Sequence, residues 1–142
     1  MKVAAKLLRN SDLTLFRTQF ARLSGVSKQK AFNLNKDVFI DRFYPGLLNV
    51  TEKLQVRMDL RGPGGLPSLE GSHTATILRQ QKNWRLDGRL IEDPVDDPKR
   101  FSGLVEGDIA VIGFEGDPAP SAVTVVVVSQ QLDQELHSEL VK

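Results

Sequence analysis

The chain contains no cysteine. This excludes disulfides and thiolate-bound metal, and it accords with a cytoplasmic location in a reducing compartment. Histidine is almost as scarce. His73 and His137 lie far apart with no ligand spacing around them, so no metal centre is expected, and each reads as an ordinary surface or strand histidine. No apolar run reaches the roughly 18 residues of a membrane span, so no membrane partner is expected. The opening residues, Met1 to Arg9, lack the apolar core and cleavage site of a secretion signal. The loop Gly62-Pro-Gly-Gly65 lacks the Gly-Lys-Ser/Thr ending that cradles phosphate. It reads as a connection, and no cofactor is expected. No nucleophile stands beside a base.

What is present suits one globular domain spanning 1–142, with 40% hydrophobic and 26% charged residues. The net charge of +1 conceals a split. Residues 1–90 hold seven Lys and nine Arg against seven acids, a net of +9, whereas residues 91–142 hold three basic residues against eleven acids, a net of −8. Such a split points to one basic face turned toward a polyanion.

Local patterns favour strands over helices. Residues 2–9 read as a short helix with Val3, Leu7 and Leu8 apolar. From Asp12 to Leu23 the pattern fits either a helical stripe (Leu13, Phe16, Phe20, Leu23) or alternation. Ala31 to Leu34 reads as a strand, followed by Asn35 as a helix cap, Asp37 in the first turn, and a short helix closed by Pro45-Gly46. Further strands are expected over 49–60, 73–78 and about 108–114. The run Ala122 to Val128 suits a strand buried on both faces. Asp87-Gly88 is a tight-turn dipeptide that places a hairpin within 73–92. Residues 131–142 read as a terminal helix. The fold class is therefore mainly β with short helices (α+β), barrel-like.

Two polar interruptions carry the chemistry. The first is Ser27-Lys-Gln-Lys30, preceded by Arg22 and followed by Asn33 on the next strand. The second lies within Ile77–Glu92 and holds Arg79, Gln80, Gln81, Lys82, Asn83, Trp84, Arg85 and Arg89. Arg and Lys bind phosphates and guanine edges, and Asn and Gln bind adenine edges. A solvated hairpin with a mixed polar tip would carry the same residues. The alternative chemistry is a small magnesium-dependent nuclease using Asp93, Asp97 and Lys99, in which carboxylates hold the metal and the lysine steadies water. That arrangement needs Asp97 and Lys99 on one strand, and Pro98 between them opposes it.

The order of these segments resembles the N-terminal effector domain of EcoRII-type (type IIE) restriction endonucleases. The resemblance runs from Arg22-Leu-Ser24 and the tip at 27–30 to the helix ending Phe43-Tyr-Pro45. It continues through 77–92, the Glu92-Asp-Pro94 loop and the terminal strands and helix. Leu104-Val-Glu-Gly-Asp-Ile-Ala-Val-Ile112 resembles the Gly-Asp strand of plant B-three DNA-binding domains. The resemblance implies a seven-stranded B-three-like DNA-binding pseudobarrel with two arms that clasp the major groove. Ser27, Lys28, Gln29 and Lys30 would lie on the first arm, and Gln81, Lys82, Asn83, Trp84 and Arg85 on the second. The second arm is shorter than the family's, and Trp84 stands where a charged residue is usual. The implied partner is double-stranded DNA with a CC(A/T)GG-like site. Catalysis is expected in a separate nuclease domain, leaving this chain a non-catalytic reader within a restriction-modification system.

Overall fold

A computed structural model describes residues 1–23, 30–45, 53–64, 73–80, 83–88, 90–93, 97–116 and 119–141. Seven strands form one curled, mixed sheet, a half-barrel: β1 (Lys2–Leu7), β2 (Ala31–Leu34), β3 (Leu54–Arg61), β4 (His73–Gln80), β5 (Asn83–Gly88), β6 (Ile109–Glu115) and β7 (Ala122–Val128). Their spatial order is β1-β6-β7-β3-β4-β5-β2, and every pair is antiparallel except β3–β7. The helices are short: α1 (Asn10–Leu13), α2 (Arg17–Leu23), a π-helical turn α3 (Lys36–Ile40) and α4 (Gln134–Leu140).

The concave side is filled by Phe16, Phe32, Phe101, Phe114, Leu60, Ile77 and Leu86, all fully buried. Phe16 stacks on Phe101 with centroids 4.4 Å apart and meets Phe32 edge-on. Asn35 caps α3 as expected, its Oδ1 accepting the Asp37 amide at 2.9 Å. The ambiguous stretch 12–23 resolves as helix, interrupted at Phe16, which bridges to Ile91.

Three expectations are corrected. Residues 2–7 form a strand, not a helix, because their period is two. Lys2, Ala4 and Lys6 turn inward while Val3 and Leu7 are exposed. The lysines carry their heads past the apolar interior. Lys2 donates to the Phe43 carbonyl at 2.7 Å and lies 4.1 Å from the Tyr44 ring centroid. Asp87-Gly88 does not turn the hairpin; both lie inside β5 opposite Thr76 and Ala75, and the β4–β5 ladder closes at Gln80↔Asn83. The valine run alternates in burial, with Val123, Val125 and Val127 inward and Thr124 and Val126 half-exposed, so it is covered on one face only.

Curling brings the two edge strands, β1 and β2, toward each other. No backbone ladder joins them. The buried Asp12 carboxylate accepts Lys6 Nζ at 2.8 Å, the Arg9 amide at 2.9 Å and the Asn33 amide at 2.8 Å, while Lys6 also donates to the Asn33 carbonyl. Charge-assisted bonds of this kind are about twice as strong as neutral ones. A cleft of about 550 Å³ remains along this seam, lined among others by Lys6, Arg9, Leu34 and Phe39.

Two further buried polar groups hold the loops. Gln19 Nε2 donates to the carbonyls of Phe101, Leu104 and Ser102 at 2.8, 2.9 and 3.1 Å. Asp108, 1% exposed, accepts the amides of Val105 and Gln130, each at 2.9 Å. The turn before it needs a left-handed residue, and Gly107 supplies one at φ +95°.

Candidate nucleic-acid interface

The second polar segment sits on the β4–β5 hairpin and the first leads into β2, which pairs with β5. In the β2–β5 register Ala31 faces Asp87 and Leu34 faces Trp84. Lys30 therefore enters the ladder at one end, and the Gln80↔Asn83 closure lies at the other. Five strand steps, from Asn83 to Gly88, separate the ends by about 17 Å. The two basic segments thus bracket one stretch of sheet instead of standing side by side.

Between them, the outward side chains follow from alternation. Asn33, Arg85 and Leu78 share one row, and Asp87 and Thr76 belong to the next. Arg85, Asp87, Thr76 and Asn33 are half-exposed. Arg85 was anticipated from its residue type. Asp87 and Thr76 were not, although the period of two that exposes Arg85 also exposes them. Asn33 is more committed than expected: its Nδ2 donates to Ser11 Oγ at 3.3 Å, and both its backbone groups join the seam.

Trp84 is corrected. It was expected on the second arm, but its side chain is 3% exposed and belongs to the core cluster with Leu86 and Ile77. β5 presents Trp84 and Leu86 inward and Arg85 and Asp87 outward, so a tryptophan next to a projecting arginine must point away from it. Its indole N–H has no hydrogen-bond partner among the described residues.

Lys30 is exposed, with its ammonium 5.1 Å from the Phe20 ring centroid. Arg22 is exposed in the last turn of α2 and donates to Gln19 Oε1, the same amide that pins the 101–104 loop. Arg79, Gln80 and Asn83 occupy strand positions at the hairpin end, with Arg79 opposite Trp84. Ser27, Lys28, Gln29, Gln81, Lys82 and Arg89 lie outside the described residues.

The acidic loop has other engagements. Asp93 Oδ1 accepts the Phe101 amide at 2.8 Å, and Asp97 Oδ2 pairs with Arg100 Nε at 2.9 Å. Asp97 precedes a turn and Lys99 lies within it, so the two do not project from a common strand. Among the described residues no three His, Asp or Glu side chains gather as a metal-holding group. His137 is not a surface residue as expected; it is buried, with Nε2 2.9 Å from the Gly107 carbonyl. Among the described residues no helix is long and apolar enough to cross a membrane.

The chain matches no protein-family model and no curated protein in sequence.

Proposed function

We propose that this chain is a sequence-specific double-stranded DNA-binding domain. In this reading it is a B-three-like pseudobarrel that serves as the effector domain of a type IIE restriction endonuclease and leaves cleavage to a separate nuclease domain in the cytoplasm. The observation that supports it is the β2–β5 ladder, whose two ends receive the two basic, amide-bearing segments and whose outer face carries Asn33, Arg85 and Asp87 between them.

Each part then has a role. Lys28, Lys30 and Lys82 neutralise phosphates at the two ends, and Arg22 extends the first end. Arg85 grips guanine O6 and N7 from the outer face, Gln and Asn of the hairpin end read adenine, and Asp87 accepts from cytosine N4. A CC(A/T)GG-like duplex offers all of these edges. The acidic half, residues 91–142, stays away from the polyanion.

The test is a mobility shift against a random duplex library, with sequencing of the bound pool, followed by a salt titration. One enriched motif is expected. With about 5 phosphates contacted, log K should fall against log salt with a slope of about −4 to −5. A flat salt dependence with no enriched motif rejects DNA as the partner.

A further inference from the structure

Helix α4 has seven residues, and only His137 among them is buried. Helices this short owe their stability to packing of an apolar face, not to propensity. α4 is instead held by polar contacts. Asp133 accepts the amides of Ser129 at 3.0 Å and Gly64 at 3.1 Å, and His137 meets the Gly107 carbonyl.

Its apolar residues face water. Leu132, in the preceding turn, is 57% exposed, Leu136 is 47% and Leu140 is 39%. Four-residue spacing places them in one line about 12 Å long. Beside that line the helix carries Glu135 and Glu139, both exposed, and residues 130–141 contain no Lys or Arg. A cleft of about 370 Å³ adjoins Leu132, lined also by Leu104, Ser129 and Pro63.

We propose that this face docks an amphipathic helix of a partner protein. The partner's apolar residues interleave with Leu132, Leu136 and Leu140, one of its side chains enters the cleft, and its flanking Lys or Arg residues meet Glu135 and Glu139. Charge decides the occupant: a second copy presenting the same face would set acid against acid. The inference is independent of the DNA-binding reading.

The probe is a synthetic helical peptide with leucines along one face and lysines beside them, titrated by fluorescence anisotropy against the full chain. A twin peptide carries glutamates in place of the lysines. The lysine peptide is expected to bind saturably, and the twin about tenfold more weakly or worse. Leu136→Asp with Leu140→Asp should weaken binding by about tenfold or more. Leu132→Ser, outside the helix, gives the same readout if the double variant fails to fold. Glu135→Lys with Glu139→Lys should reverse the preference between peptides. Equal binding of both peptides, or binding indifferent to the leucine variants, overturns the proposal. So does sedimentation showing that the full chain self-associates through these leucines.

Discussion

In the β1–β6–β7 half of the sheet the strands are nearly uncharged on β6 and β7, and the loops between them are pinned by a single buried carboxylate, Asp108. In the β4–β5–β2 half the inward residues are just as apolar, but every second position of β5 is charged, and basic segments attach at both ends. The first half spends its polar groups on its own backbone. The second leaves them facing outward. Burial and hydrogen bonding thus separate scaffold from candidate surface more cleanly than composition does, because both halves carry charge in sequence.

The sharpest test of that division is Trp84, which sits in the outward-facing half yet points inward. Trp84→Ala should cost about 3–5 kcal/mol of stability by opening a core cavity, measured by urea denaturation. If the variant instead keeps its stability and loses DNA preference, the tryptophan belongs to the surface and the comparison fails. Asp108→Ala comes next. Stranding the buried Val105 and Gln130 amides should cost about 2–4 kcal/mol, read from the same denaturation midpoint, with duplex preference unchanged in the folded fraction.

Smaller effects are expected on the other side. Arg85→Ala should leave the melting temperature nearly unchanged and remove about 1–3 kcal/mol of discrimination at one base pair, measured by competition between specific and random duplexes. An intact gap would detach Arg85 from base reading. Lys28→Ala should weaken all duplexes evenly and flatten the salt slope by about one, and a sequence-dependent loss would move it from phosphate to base.

Much of this plan was legible. β2, β6 and β7, the Asn35 cap and the terminal helix follow from period and capping chemistry. β1 was missed because its lysines point inward, inverting the usual rule; only their reach to Phe43, Asp12 and Asn33 makes that tolerable. The hairpin was placed at Asp87-Gly88 because a turn dipeptide also fits a strand when both neighbours supply a ladder. Asp12, Gln19 and Asp108 were invisible as hubs. Their partners are backbone groups distant in sequence, and backbone groups leave no residue-type signal. In the candidate surface, residue type pointed to Arg85 correctly as outward-facing, but only the strand's alternation separates it from Trp84.

The strand order also bears on how the chain is made. Lys2 pairs with Phe114, and Arg57 with Ala122, so the first strand synthesised must wait for the sixth, and the third for the seventh. A nascent chain emerging from the ribosome can close the β4–β5 hairpin early. The strand at its leading end stays unpartnered, with Val3 and Leu7 bare, until nearly the whole chain has been translated. The inward lysines of β1 give that waiting segment charge and solubility during translation, before they are drawn inside the finished half-barrel.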